Sequence, residues 1–136
     1  MDESVLGAVQ GGPDLLAWFG GRAPSFHDAE ILSLELDRAG AICRFRVHAF
    51  EITGDVDQAG YFVLARHAVV AFEFGGVTDL ELADFNHQNV LGGLRIEREA
   101  NGYHVELEPC WGLSGFLKAR TVQIAVSPGA PPKATF

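Results

Sequence analysis

The sequence predicts a mainly β (α+β) fold: an antiparallel sheet of six to seven strands, curled or folded into a sandwich, with a short N-terminal helix. Three observations support this class. Apolar and polar residues alternate in several stretches, and a period of two is typical of half-buried strands. These stretches follow one another closely, with turn residues between them, as in successive hairpins. One apolar segment near the start ends at paired glycines, which is typical of a helix.

The length predicts a single domain. A chain of 136 residues can bury a sizeable core but is short for two domains. We expect one globular domain over residues 1–126. Residues 127–136 contain three of the six prolines, so we expect them to form an extended or loose tail.

The first half of the chain predicts a helix and a hairpin. Leu15–Phe19, followed by Gly20-Gly21, fits one short helix. Ala29–Asp37 alternates between apolar and polar residues, and Ala41–Ile52 does the same after a compact turn. The two alternating stretches predict a β-hairpin.

The second half predicts further strands. Residues 53–60 are polar and contain glycine, so we expect a loop there before a central strand at Tyr61–Phe74. Residues 79–84 fit either a short strand or one helical turn. Later strands are expected at Val90–Glu99, Tyr103–Glu108 and Phe116–Val126. The first two of these are expected to join across Asn101-Gly102, a turn that requires positive φ at both central residues.

The charge balance constrains the partner. Eighteen acidic and ten basic residues give a net charge of −8, which argues against nucleic acid, because binding phosphates requires a basic surface. An acidic protein is better suited to a basic partner. No apolar run approaches the roughly 18 residues of a membrane helix, and the first residues lack the basic region of a secretory signal.

The two cysteines indicate the compartment. Cys43 and Cys110 fit a reducing cytoplasm, as two small buried apolar side chains, better than a disulfide scaffold. Cys110, beside Pro109 and Trp111, is interpreted as a core residue or a corner of the fold. We therefore expect a cytoplasmic protein.

The densest polar cluster is Ser25–Glu30, just before the first predicted strand. Its residue types allow an enzyme interpretation, with His27 as a base, Asp28 orienting it and Glu30 as an acid or metal ligand. Adjacent side chains on an extended chain point to opposite faces, which weakens that interpretation. Backbone hydrogen bonding at the entry to the strand is favoured. We predict no metal, no cofactor and no catalytic residues.

Two further groups of polar residues have ordinary structural explanations. Asp84–Asn89 is rich in amides, which can bind ligands but more often form hydrogen bonds within turns. The basic residues Arg44, Arg46 and His48 follow one strand and are expected to pair with acids across the hairpin, such as Glu35 and Asp37.

The segments Pro24–Leu34 and Phe85–Leu91 together resemble the bacterial immunity protein 50 family over most of the chain. The resemblance implies binding and neutralisation of a cognate toxin protein, without catalysis. A basic toxin would be steered by the acidic charge of this chain. The candidate partner-binding residues are His27, Glu35, Asp55, Asp57, Asp79, Glu81, His87 and Gln88. The candidate structural residues of the two motifs are Ser25, Phe26, Asp28, Glu30, Phe85, Asn86 and Asn89.

Three other functions remain open from the sequence. A small-ligand or carbohydrate-binding β module would use the Asn86–Asn89 loop with Trp111 or Tyr103 as a stacking surface. A hydrolase or metalloenzyme would use the Ser25–Glu30 cluster. A homo-oligomer would bury an apolar sheet face such as that of Ala68, Val70 and Phe72.

Overall fold

The computed structural model describes residues 1–132, in which two short helices precede eight strands. The elements are α1 (Glu3–Ala8), α2 (Gly12–Trp18), β1 (Glu30–Asp37), β2 (Ile42–Val56), β3 (Phe62–Gly75), β4 (Asp79–Ala83), β5 (Val90–Glu99), β6 (Gly102–Trp111), β7 (Ser114–Ala119) and β8 (Thr121–Pro128). The strands form one antiparallel, unclosed sheet in the order β4-β7-β6-β5-β1-β2-β3-β8. The predicted mainly β, antiparallel class is confirmed, as a single sheet with more strands than expected.

The core lies on one face of this sheet. Alternate residues of the strands point inward, and the buried apolar side chains of the strands and helices form one cluster. Phe45 is buried in this cluster, and its ring centroid lies 5.1 Å from that of Phe72 and 5.3 Å from that of Phe74. Ala68, Val70 and Phe72 belong to the buried residues. The apolar face considered for a homo-oligomer is therefore inside the molecule.

The N-terminal segment forms two helices, where one was expected. Asp2 caps α1 by accepting a hydrogen bond from the Ser4 backbone N–H at 2.7 Å. Between the helices, Gly11 has φ +80°, and a Cβ there would lie 1.7 Å from the Ile124 carbonyl oxygen of β8. Glycine is required because the chain contacts the sheet edge at this point. The first helix buries only Leu6, too little to produce a periodic apolar pattern.

The β5–β6 hairpin forms, but its turn differs from the prediction. Glu99 pairs with Gly102, so the connecting residues are Ala100 and Asn101. The positive φ of this turn, +151°, belongs to Gly102. A Cβ at Gly102 would lie 2.2 Å from the Ala119 carbonyl oxygen. The glycine therefore allows the turn to approach the end of β7, and the expected turn geometry across Asn101-Gly102 is wrong.

Other strand boundaries also differ from those predicted. Residues 53–56 continue β2, and 79–83 form a strand paired with β7. The segment Phe116–Val126 is two strands that separate at Arg120, whose backbone N–H donates to the Gly75 carbonyl at 2.9 Å. Strand β8 runs through the first two residues of the predicted tail, while 133–136 lie outside the described residues.

Within residues 1–132, none of the helices has the length and apolar character needed to span a bilayer.

Candidate partner-binding surfaces

The first candidate surface is an arm formed by the outer ends of β2 and β3, residues 51–64. Every residue of the arm is exposed. Six of its side chains are large and apolar and are between 39% and 72% exposed, namely Ile52, Val56, Tyr61, Phe62, Val63 and Leu64. Concentrated exposed apolar side chains are a feature of protein interaction sites.

Hydrogen bonds give the arm a defined tip. The Asp57 carboxylate accepts from the backbone N–H groups of Ala59 at 2.9 Å and Tyr61 at 3.0 Å. The backbone N–H of Asp57 donates to the Tyr61 carbonyl at 2.8 Å. These bonds close the turn between the strands and fix where the aromatic residues that follow begin.

A reciprocal contact attaches the base of the arm to helix α2. The Trp18 indole N–H donates to the Arg66 carbonyl at 2.8 Å, and the Arg66 guanidinium donates to the Trp18 carbonyl at 3.1 Å. Arg66 also forms an ion pair with Glu51 at 3.0 Å and has φ +53°. Arg66 therefore lies at the junction between the packed part of β3 and the exposed arm.

The second candidate surface is an acidic face on the outer side of β5, β6, β7 and β4. Direct cross-strand pairing places two rows of residues on the same side of the sheet. The first row is Glu97, His104, Lys118 and Asp79, and the second is Arg95, Glu106, Phe116 and Glu81. Glu99 and Glu108 continue the alternation of β5 and β6. Six carboxylates thus share this face with two permanently charged bases.

Ion pairs organise part of the acidic face. Arg95 pairs with Glu106 and, at 3.7 Å, with Glu108. His104 Nε2 lies 3.0 Å from Glu106, and Lys118 lies 3.6 Å from Glu99. The hydrogen bond from Arg95, followed by that from His104, lowers the pKa of the Glu106 carboxyl. The carboxylates outnumber the bases, so the face remains negative at neutral pH.

The predicted acidic contacts do not form one patch. Asp55 and Asp57 lie on the arm, whereas Asp79 and Glu81 belong to β4 and the acidic face. Four strands separate β4 from β2 in the sheet. Each pair therefore belongs to a different candidate surface.

Glu35 lies on neither surface. Its carboxylate is 3.4 Å from Arg44, which also donates to Glu73 at 2.7 Å. The Glu73 hydrogen bond is the main reason that the pKa of Arg44 is raised. Arg46 donates to Ser33 at 2.9 Å instead of an acid. His48 contacts His67, with 3.0 Å between ring nitrogens. Of the three basic residues, Arg44 makes the expected cross-strand ion pair.

The two sequence motifs lie side by side at the start of β5. The backbone N–H of Asp28 donates to Leu91 at 2.9 Å, Leu91 donates back to Ala29 at 2.8 Å, and Ile31 donates to Asn89 at 2.8 Å. Phe26 is buried, with its ring 5.7 Å from that of Phe72. Ser25 Oγ accepts from the His27 N–H at 3.2 Å, and Glu30 begins β1 opposite His48.

Asn89 is the buried polar side chain of this region. Its amide oxygen accepts from the backbone N–H groups of Asn86 at 3.1 Å and Leu113 at 2.9 Å, and its nitrogen donates to the Asn86 carbonyl at 2.8 Å. Asn86 Oδ1 in turn accepts from the Gln88 N–H. His87, Gln88 and Phe85 are exposed on the same loop. The loop thus has a fixed backbone that presents several side chains outward.

The stacking residues considered for a small ligand lie at opposite ends of β6. Trp111 is 62% exposed at the end nearest the Asn86–Asn89 loop, whereas Tyr103 lies beside the hairpin turn. Tyr103 lines a cavity of about 620 Å³ together with Lys118 and Arg120. Of the two aromatic residues, Trp111 therefore lies near the loop, and Tyr103 does not.

Two expectations are wrong, one about the chain at His27-Asp28 and one about Cys110. Asp28 has φ +63°, so the chain is not extended there, and His27 Nε2 lies 3.6 Å from Asp28 Oδ1. Cys110 is exposed, not buried, and its sulfur lies 4.0 Å from the same carboxylate oxygen. Glu30 is not part of this group, which is formed by His27, Asp28 and Cys110.

Most of the residues that form the two surfaces are not among the candidates predicted from the sequence. Glu97, Glu99, Glu106 and Glu108 alternate along a predicted hairpin, and applying its register would have placed them together. The run from Tyr61 to Leu64 belongs to the predicted central strand, Tyr61–Phe74. Its lack of alternation was the available signal that both faces are exposed.

The fold and its exposed surfaces define a small antiparallel β protein suited to binding another macromolecule. The family model described as immunity protein 50 matches residues 14–128. The chain belongs to this family of immunity proteins, which indicates a binding function with a toxin as the general class of partner. No curated protein and no solved structure matches the chain significantly.

Proposed function

We propose that this protein binds a cognate bacterial toxin directly through the arm and neutralises it without catalysis. Family membership supports the class of function. The exposed apolar side chains of the arm support its assignment as the surface that contacts the toxin. The aromatic residues Tyr61 and Phe62 are the most exposed large apolar side chains there. Burying such residues against a partner supplies most of the binding energy in many interfaces.

The acidic face complements the arm. A negative field accelerates the approach of a basic partner and orients it before close contact. Within residues 1–132 the ion pairs of this face involve Glu99, Glu106 and Glu108, which leaves Glu81, Asp79 and Glu97 for this purpose. In this proposal the toxin carries an apolar area that contacts the arm and a basic net charge that the acidic face attracts.

The cysteines support action in the cytoplasm. Cys43 and Cys110 are both free, and Cys110 is exposed. An exposed free thiol is compatible with a reducing compartment, where disulfides are disfavoured.

The experiment that tests the proposal is co-expression with the product of the neighbouring open reading frame. We expect that product to arrest growth alone, growth to be restored by co-expression, and the two chains to elute as one complex from a sizing column. The arm variant Tyr61→Ser/Phe62→Ser should lose both rescue and co-elution. The matched control Phe85→Ser/Trp111→Ser changes two equally exposed aromatic residues outside the arm and should retain both.

Two outcomes would contradict the proposal. Rescue without a complex would show protection by another mechanism. Rescue by the arm variant equal to that of the unmodified chain would remove the arm from the interface.

A further inference from the structure

Three side chains, those of His27, Asp28 and Cys110, meet beside the start of β5. Their ligand atoms all lie within 4.8 Å of one another, with 3.6 Å between His27 Nε2 and Asp28 Oδ1 and 4.0 Å between Cys110 Sγ and the same oxygen. All three side chains are exposed. They come from the segment before β1 and from the end of β6, which are paired with opposite sides of β5.

The hydrogen bond to the other nitrogen of His27 orients its ring. His27 Nδ1 lies 3.2 Å from the Gly92 carbonyl oxygen. A carbonyl only accepts, so Nδ1 carries the proton in the neutral ring, and the lone pair of Nε2 faces Asp28 and Cys110. A backbone carbonyl is one of the common outer partners that fix the tautomer of a metal-binding histidine.

The backbone around His27 is held in an uncommon conformation. Phe26 and Asp28 have φ values of +57° and +63°, a region that residues other than glycine seldom occupy. Burial of Phe26 and the bond from the Asp28 N–H to the Leu91 carbonyl maintain it. In an extended chain the side chains of His27 and Asp28 would diverge, whereas here both reach the Cys110 sulfur.

The three atoms have the chemistry and spacing of a metal site. Zinc bonds of about 2.0–2.3 Å to nitrogen, oxygen and sulfur place tetrahedral ligands about 3.4–3.6 Å apart. The observed separations from Asp28 are close to this range, and small side-chain rotations would complete the fit. A mixed nitrogen, oxygen and sulfur set favours zinc and similar transition metals over magnesium or calcium, which prefer oxygen.

From this arrangement we propose that His27, Asp28 and Cys110 bind one divalent transition metal ion such as Zn²⁺, with the fourth position open to solvent. The sequence predicts no metal, because the five histidines are scattered and the chain has no HExxH or CxxC motif. On binding, the Cys110 S–H bond breaks, a metal–sulfur bond forms and the proton passes to solvent. The imidazole Nε2 and the carboxylate bind without further change.

The test uses the full-length protein, freed of metal, with Zn²⁺ and Co²⁺ alone as probes. Competition against a chromogenic chelator should show one zinc ion per chain. Cys110→Ser and His27→Gln should each weaken zinc binding by at least about 10-fold. Co²⁺ should produce a thiolate-to-metal charge-transfer band that Cys110→Ser abolishes. The control His104→Gln removes a histidine beside Glu99 and Glu106 on the acidic face and should leave affinity and band unchanged.

Three results would overturn the proposal: no zinc binding by the unmodified chain, a cobalt spectrum without the thiolate band, or an equal loss of affinity in His104→Gln. Circular dichroism of each variant confirms that it is folded. The measurement needs no toxin, so its outcome is independent of the function proposed above.

Discussion

Along the outer ends of β2 and β3 the sheet exposes apolar side chains on an arm, whereas along β5 and β6 it exposes carboxylates linked by ion pairs. The alternation that places the carboxylates of the acidic face on one side of the sheet is missing from the arm, where both faces are exposed, and the energetics of the two surfaces also differ. Apolar contacts act only when partners touch, while charges act over about 8–10 Å at physiological salt. The arm is therefore expected to determine how long a complex lasts, and the acidic face how quickly it forms.

The largest expected effect is on the arm. Tyr61→Ser/Phe62→Ser should weaken toxin binding by about 100-fold or more, because exposed aromatic anchors contribute on the order of 2 kcal/mol each. The loss should appear in the dissociation rate, measured by biolayer interferometry. Unfolding in urea should shift little, since exposed residues contribute little to stability. A changed association rate with an unchanged dissociation rate would contradict the claim that the arm determines how long the complex lasts.

The acidic face should show the opposite pattern. Glu81→Lys/Glu97→Lys reverses two carboxylates outside the ion pairs of the face, and should lower the association rate by about 10-fold at low salt. The dissociation rate should change little. Measurements of the same variant at high salt provide the control, because screening should bring its rate close to that of the unmodified chain. A salt-independent loss would place these residues inside the contact.

Comparison of the two regions also shows what could be predicted from sequence. Alternation identified the core face of the strands, including Phe45 and Phe72, because burial on one side leaves a period of two. It did not identify the left-handed backbone at Phe26, Asp28 or Arg66. These residues are not glycine, so tertiary contacts and not local preference hold them there.

The candidate sites depended on contacts between distant segments. Cys110 is 82 residues from Asp28 in the chain, and only the pairing of β5 with β6 brings it close. The acidic face similarly requires the register of four strands. Residue type and spacing could therefore indicate candidate side chains such as His27 and Glu81, but not their neighbours.

A smaller effect is expected at the base of the arm. Trp18→Phe removes the indole hydrogen bond to the Arg66 carbonyl and should lower the free energy of unfolding by about 1 kcal/mol. Amide exchange in residues 51–64 should become faster, because the contact joins the arm to α2. The matched control Trp111→Phe changes an exposed indole on β6 and should alter neither quantity. Equal exchange in both variants would show that Trp18 does not restrain the arm.

The smallest effect concerns pH and compares His48 on β2 with Glu106 on the acidic face. Burial, and then the charge of His67, lower the pKa of His48 from 6.5. Above that value the imidazole is neutral in the folded and unfolded chains. As the pH falls below it, the unfolded chain binds the proton first, so stability decreases until folded His48 also protonates. The Glu106 carboxyl, with its pKa lowered from 4.5, stays charged through this range.

His48→Gln should therefore reduce the loss of stability between about pH 7.5 and about pH 5.5, measured as the difference in urea unfolding free energy at the two values. His67→Gln removes the charge of His67, the second cause of the lowered pKa of His48, and leaves the burial of His48 in place. The loss of stability in this variant should therefore lie between those of the unmodified chain and His48→Gln. An unmodified chain whose stability is constant over this range would show that His48 is not desolvated. If instead Glu106→Gln removed the pH dependence, the sensitive group would lie on the acidic face and not at His48.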